Sequence, residues 1–333
     1  MRHYIIKAMN KKIKTIGVLT SGGDAPGMNA CVRAVTRYAG YKGLKVFGIE
    51  RGFQGLLDKT LTELNSRSVA DIINRGGTML KTARCLEFIK LEGQKAAVDT
   101  LNQFGVDALV IIGGNGSFAG GKDLTANFGI NTMCIPGTID NDLAYTDYTL
   151  GFDTAVNTVL DAINRLRDTM HSHDRVIIVE VMGRNCGDIA LYAGISGGAE
   201  IILVPELPFN LDTLCKRIFK NQKAGKKSDI IILSEGVMKA EELLRQVKTR
   251  IVDISIRTTT LGHIQRGGMP TMADRVLAAK FGAHAVDALL AGKTSRVVGI
   301  KNNKIFDEDI EVAMARPRII DKQLYRIAEI TNL

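Results

Sequence analysis

Two carboxylates one residue apart, Asp140 and Asp142, stand in the stretch Pro136-Gly-Thr-Ile-Asp-Asn-Asp142 at the end of an apolar run. Moving a phosphoryl group needs one carboxylate beside the attacking hydroxyl and another near a divalent metal. A loop stiffened by a proline and a glycine can divide those tasks between two acids. The same residues also fit an ordinary Asx turn, so this loop gains weight only from its company.

Four other loops supply that company. Residues 21–29, SGGDAPGMN, follow an apolar run and open a helical pattern. Glycines there let backbone N–H groups approach an anion, and a helix N-terminus adds a favourable dipole. Neither GxxxxGK[ST] nor GxGxxG is present, so the loop is neither a Walker A motif nor a dinucleotide fingerprint. Residues 113–117, with Gly114, Asn115, Gly116 and Ser117, repeat the strand-to-helix form and read as a second phosphate cradle. Residues 181–187, VMGRNCG, set Arg184 where a strand stops, a position from which arginine can clamp a phosphate or neutralise developing charge. Residues 261–268, LGHIQRGG, hold His263 and Arg266 three apart among glycines, a plausible pair of phosphate donors. Several anion sites beside paired carboxylates favour a phosphotransferase over a dehydrogenase or hydrolase. No HExxH metal motif occurs.

The elements that must position these loops are legible as apolar runs. Residues 15–20, 108–112, 176–181, 201–204 and 230–233 read as buried strands. Residues 154–166 and 211–222 repeat apolar positions at three and four, the helical period. Continuous apolar strands joined by helices predict an α/β fold with parallel sheets covered on both faces, and ligands beyond the carboxyl ends of the strands. The length of 333 residues suggests two domains. With no linker of low complexity, two interlocked α/β domains fit best.

Bulk properties narrow the partners. A net charge of +9 invites nucleic acid, but only 5% of residues are aromatic, Trp is absent and the basic residues are spread out, so no nucleic acid partner is expected. Small anionic substrates account for the charge instead. No apolar stretch approaches a membrane span. The basic N-terminus, residues 1–14, lacks a secretory h-region, and Met9 is an alternative start. Five cysteines without CxxC spacing predict a reducing, cytoplasmic setting and argue against structural zinc.

The segments GVLTSGGDAPGMNA, INRGGT, PGTIDND, TDYTLGFDTA, VEVMGR and GHIQRGG, with their spacing, resemble the bacterial 6-phosphofructokinases from about residue 13 to 315. That resemblance implies two Rossmann-like three-layer α/β/α domains with mostly parallel sheets. The larger, ATP-binding domain would span 1–151 and 265–313, and the smaller, fructose 6-phosphate-binding domain 152–264 and 314–333. It implies transfer of the γ-phosphoryl of ATP to the 1-hydroxyl of fructose 6-phosphate, with Mg2+ as cofactor, in a glycolytic homotetramer whose active sites are shared between subunits. By the same resemblance Asp140 is the general base, Thr138 lies beside the transferring group, Asp142 helps hold magnesium, and the Gly22 amide meets the γ-phosphate. Arg184 stabilises the transition state and Arg84 bridges the substrates. Met182, Gly183, Glu235, His263 and Arg266 form the sugar-phosphate site. Arg175 and Arg257 reach the 6-phosphate from a neighbouring subunit. Arg33, Arg37, Arg167, Glu200 and Lys226 match the family's effector site.

The chain also departs from the family. Asn115 replaces an aspartate that contributes to magnesium binding, keeping an oxygen and losing a charge. In the nucleotide pocket Glu50, Lys81, Cys85 and Ile89 replace the usual tyrosine, glycine, phenylalanine and arginine. Gly116 and Gly137 stand where pyrophosphate-dependent relatives carry aspartate and lysine, which favours ATP. Thr60, Ala224 and Ser228 replace cationic effector-site residues, so blunted allostery is expected. These changes keep two alternatives open: a catalytically weak regulatory paralogue, and an enzyme with another phosphoryl donor.

Overall fold

A computed structural model describes residues 12–173, 175–226, 228–251 and 254–332. Most of the basic N-terminal stretch, with Met9, lies outside the described residues. The chain forms two compact units. The larger comprises residues up to 139, 143–153 and 266–317; the smaller comprises 140–142, 154–265 and 318 onward.

The larger unit is built on a seven-stranded sheet. Its strands are β1 (Thr15–Thr20), β2 (Lys45–Ile49), β3 (Leu61–Leu64), β4 (Ala108–Gly113), β5 (Asn131–Pro136), β10 (Arg296–Lys301) and β11 (Lys304–Asp309), in the order β11-β10-β5-β4-β1-β2-β3. The centre is parallel: Val18 of β1 lies opposite Gly48 of β2 and Val110 of β4. Only the outermost pairs, β2–β3 and β10–β11, are antiparallel. Every residue of β4 is buried, as a strand covered on both faces must be. Alternation divides its side chains. Leu109 and Ile111 join a core with Phe118 and Leu101 from helices Asn115–Phe128 and Leu91–Gln103. On the other face Ile112 lies near Met28, the first residue of helix Met28–Tyr41, since a Cβ on Gly137 would sit 3.0 Å from both. Three layers result.

The smaller unit repeats the plan on a four-stranded parallel sheet, order β7-β8-β6-β9. Its strands are β6 (Val176–Val181), β7 (Ile201–Leu203), β8 (Asp229–Ser234) and β9 (Ile256–Thr260). One face packs Ile178, Ile231 and Leu233 against Leu214 and Ile218 of helix Leu211–Lys223 and Leu243 of helix Ala240–Lys248. The opposite face receives helix Asp188–Ser196, where Gly194 permits close approach of Ile202.

The expected apolar runs are all strands. Those at 15–20 and 176–181 have the predicted bounds, while β8 extends to Asp229 and Ser234 because β6 continues its ladder at both ends. The two expected helices are also present and longer, at Phe152–His171 and Leu211–Lys223. Among the described residues no helix is long and apolar enough to cross a membrane. All five cysteines are free; burial raises the thiol pKa of Cys31 and Cys134, and that of Cys186 to about 12.

Candidate active site

In the larger unit the two glycine-rich loops lie at the carboxyl ends of adjacent strands β1 and β4. The Ser21 amide donates to the Ile112 carbonyl at 2.9 Å, which ties the loops together. Gly22 is exposed and left-handed (φ 88°), and a Cβ there would sit 3.6 Å from Ser117 Oγ. Helix Asn115–Phe128 starts at Gly114 with no side-chain cap and no acid in its first turn. A Cβ on Gly114 or Gly116 would meet nothing within 4 Å. The helix therefore presents backbone donors and a positive dipole end to open space, the requirement for a phosphate cradle. Asn115 is exposed at its first position. The Arg266 guanidinium lies beside Gly23, where a Cβ would be 3.4 Å from Nη1. Arg266 thus belongs with the larger unit.

Residues flagged separately in the sequence turn out to be partners. Lys81 Nζ pairs with Glu50 Oε2 at 3.2 Å. Lys81 has φ 58°, so a glycine at this position would be unstrained, and its carbonyl accepts from Thr20 Oγ1 at 2.9 Å. The Lys81 backbone thus adjoins the end of β1 that leads into the first cradle. Cys85 packs against a core that contains the stacked rings of Phe53 and Phe88, 4.1 Å apart. Arg84 and Ile89 are exposed.

Beyond Pro136 the chain keeps strand pairing for one more residue, Gly137, whose amide donates to the Gly113 carbonyl at 2.9 Å. The Thr138 carbonyl accepts from Thr149 Oγ1 at 2.6 Å. Residues 140–142 then belong to the smaller unit. There Asp140, only 4% exposed, has Oδ2 3.3 Å from Arg184 Nε. Asn141 is buried and left-handed (φ 52°), and its Nδ2 donates to Asp188 Oδ2 at 2.8 Å. Arg318 Nη2 donates to the same Asp188 oxygen. Burial raises the Asp142 carboxyl above its usual range, opposed by its own backbone amide and by the charges of Arg184 and Arg318. Two ionisable carboxylates thus sit in unlike surroundings, Asp140 paired and Asp142 desolvated.

The arginine loop is anchored by acids. The Arg184 amide donates to Glu235 Oε1 at 3.1 Å and the Gly187 amide to Glu206 Oε1 at 2.9 Å. Gln265, fully buried, accepts from the Met182 amide at 3.2 Å and donates to the Gly262 carbonyl at 3.0 Å. It thereby joins the loop of Met182, Gly183 and Arg184 to the short turn carrying exposed His263. Arg175 is half-buried, whereas Arg257 is exposed on β9 with Nη1 donating to the Ile256 carbonyl at 3.3 Å. Gln265, Asp188 and Arg318 escaped the sequence reading; the neighbourhood of Asp188 and Gln265 to flagged motifs was the only signal.

The effector-pattern residues divide between the units. Arg33 and Arg37 lie on helix Met28–Tyr41, and Arg37 Nη2 donates to the Ser66 carbonyl at 3.2 Å. In the smaller unit Arg167 Nη2 caps the carbonyls of Gly197 and Gly198 at 2.5 and 2.7 Å, and Lys226 Nζ pairs with Glu200 Oε1 at 2.8 Å. Exposed Thr60 and Ala224 and half-buried Ser228 add no charge.

Comparison with known proteins matches residues 15–289 to the family model described as phosphofructokinase. A protein of Clostridium botulinum strain Hall named ATP-dependent 6-phosphofructokinase is 57% identical over 320 residues, 96% of this chain and all of that protein. One of Clostridium perfringens strain 13, named ATP-dependent 6-phosphofructokinase 1, is also 57% identical over 96% of this chain and all of its own length. Among solved structures, phosphofructokinase from Saccharomyces cerevisiae aligns with a TM-score of 0.85 at 34% identity, covering 90% of this chain. This chain spans about half the length of that yeast chain, 45%.

Proposed function

This chain belongs to the phosphofructokinase family, and we propose that it transfers the γ-phosphoryl group of ATP to the 1-hydroxyl of fructose 6-phosphate. The observation that carries this reading is Asp140, a buried carboxylate beside the Arg184 guanidinium in the PGTIDND loop. Asp140 takes the proton of the attacking hydroxyl, and Arg184 offsets charge that builds on the transferring group. The Gly22 amide and the uncapped amides at Gly114, Asn115 and Gly116 hold the phosphates together with the Ser117 hydroxyl, Thr138 flanks the group in flight, and Arg84 contacts both substrates. Met182, Gly183, Glu235, His263 and Arg266 hold the sugar phosphate. Arg175 and Arg257 serve a neighbouring subunit's site in a homotetramer. The larger unit is the nucleotide-binding domain and the smaller the sugar-phosphate-binding domain.

The residues present suit Mg2+ carried in by nucleotide phosphates. The desolvated Asp142 carboxylate gains from a cation, and Asn115 offers an amide oxygen; hard oxygen donors of this kind suit magnesium. When bound, the ion neutralises phosphate charge. Among the described residues no cluster of three or more acids, histidines or cysteines forms a cage, and a magnesium shared with phosphates needs none.

ATP is favoured over pyrophosphate by Gly137, where a Cβ would already sit 3.0 Å from Ile112 and Met28 side chains. A lysine there would have to displace core atoms. Control by anionic effectors is blunted, because Thr60, Ala224 and Ser228 add no cation to the effector pattern of Arg33, Arg37, Arg167, Glu200 and Lys226. Strong cooperative inhibition by phosphoenolpyruvate would refute that point. The deciding experiment measures fructose 1,6-bisphosphate formation with magnesium, comparing ATP with pyrophosphate. ATP-dependent turnover is expected. Turnover with pyrophosphate alone would reassign the donor, and no turnover from folded protein that still binds fructose 6-phosphate would overturn the catalytic reading.

A further inference from the structure

Residues 184–188 grip the triplet 140–142 at three successive points. Arg184 Nε meets the Asp140 carboxylate at 3.3 Å, Cys186 Sγ donates to the Asn141 carbonyl at 3.8 Å, and Asp188 Oδ2 accepts from Asn141 Nδ2 at 2.8 Å. Asp188 and Asn141 are 3% and 2% exposed, so neither side chain is disposed to meet a substrate. Asn141 also adopts φ 52°, a left-handed conformation that asparagine tolerates better than most residues when its side chain finds a local partner. That backbone turn sets the directions in which the flanking Asp140 and Asp142 carboxylates leave the chain. Asp188 in turn depends on Arg318, whose Nη2 donates to the same oxygen. A buried carboxylate stripped of its cation is strongly destabilised. Asp188 is the first residue of helix Asp188–Ser196, where the helix dipole further favours its negative charge.

We propose that Asp188 and Arg318 are positioning residues for phosphoryl transfer, acting through Asn141 to fix the left-handed turn between Asp140 and Asp142. The pair touches no reacting atom. Its effect is on the aim of two carboxylates, and a misplacement of about 1 Å can cost roughly a hundredfold in rate. This inference rests on the reading of Asp140 as the general base.

Asn141→Gly is the sharpest test, since glycine accepts the positive φ freely while the side-chain bond to Asp188 is removed. Asp188→Asn and Arg318→Met probe the other links. Each substitution should lower kcat roughly 10- to 100-fold while KM for ATP and for fructose 6-phosphate stays within about threefold and melting stays cooperative. Asn141→Gly combined with Asp188→Asn should cost little more than either alone, because both act on the one link between Asn141 and Asp188. A second readout needs no turnover: amide exchange in a peptide spanning 137–145 should quicken about tenfold in Asn141→Gly. Retention of kcat within threefold, additive losses, or a fall in kcat matched by loss of folded protein would each overturn the proposal. If the unmodified protein shows no kinase activity, the functional reading fails separately, and unchanged exchange would then be what sinks the clamp.

Discussion

The loops of the larger unit and the triplet of the smaller one solve opposite problems. Around Gly22 and Gly114–Ser117 the donors are backbone amides, the adjoining side chains are mostly absent, and Gly22, Asn115 and Gly116 are exposed. Around Asp140–Asp142 the chain is fastened by side chains: Arg184, Cys186 and Asp188 from one segment, with Arg318 behind them. A site for a mobile polyanion needs unpaired donors and room, because the ligand itself supplies the order. A base that must meet one proton needs its direction fixed beforehand. The cradle therefore tolerates being open, and the carboxylate loop does not.

The contrast would break most visibly at Asp140. Asp140→Asn keeps the shape and removes the proton acceptor, so kcat should fall by about 10²–10⁴. KM for both substrates should stay within roughly threefold, since the loss falls on the transition state alone. Steady-state kinetics of the variant checks this. A comparable rise in either KM would mean that Asp140 also binds substrate in the ground state.

A change to the cradle should act through the nucleotide instead. At Gly22 there is space for a methyl group, 3.6 Å from Ser117 Oγ, but φ 88° is a conformation L-residues resist. Gly22→Ala should thus tilt the peptide whose amide faces the phosphate, at a cost of about 1–2 kcal/mol. The expected outcome is a rise of roughly tenfold in KM for ATP with KM for fructose 6-phosphate unchanged. Equal weakening of both substrates would show that the two regions are not separable in this way.

The cradle was far more legible in the sequence than the clamp, for a physical reason. Residues 21–29 and 113–117 are each complete as local signals: an apolar strand, glycines, then a helix. Both sheets announced themselves through buried runs such as Val176–Val181 for the same reason. The clamp is made by residues 47 and 130 apart in the chain, Asn141 to Asp188 and Arg318 to Asp188. Neither Asp188 nor Arg318 carries a local pattern that sets it apart from a solvated charge. Gln265, bonded across 83 residues to Met182, was hidden inside a motif whose histidine and arginine drew the attention. Glu50 and Lys81 were visible individually, but their pairing across 31 residues was not.

Asn115 tests the cradle's dependence on charge with a smaller effect. Asn115→Asp restores a carboxylate at an exposed, uncapped helix start, where an anion gains about 0.3–1 kcal/mol from the dipole. The magnesium concentration for half-maximal rate should fall by about fivefold, and turnover should rise if the missing charge limits it. Magnesium titrations of both proteins measure this. An unchanged half-saturation would mean that the site is built around the amide.

The smallest effect is expected at Glu50 and Lys81, and its smallness is informative. Their ion pair is largely solvated, with side chains 41% and 61% exposed, so it contributes less than about 1 kcal/mol. Lys81→Gly removes that pair and adds flexibility to the unfolded chain, but it also relieves the left-handed backbone at φ 58°. These contributions nearly cancel, so the melting temperature should move by no more than about 2 °C. If the cradle binds through backbone amides, KM for ATP should change less than threefold in Lys81→Gly and in Glu50→Gln. A tenfold change in either would mean that the Glu50–Lys81 side-chain pair engages the nucleotide directly. The larger unit would then share the side-chain logic of the smaller one, and the distinction between an open cradle and a fastened base would fail at its own boundary.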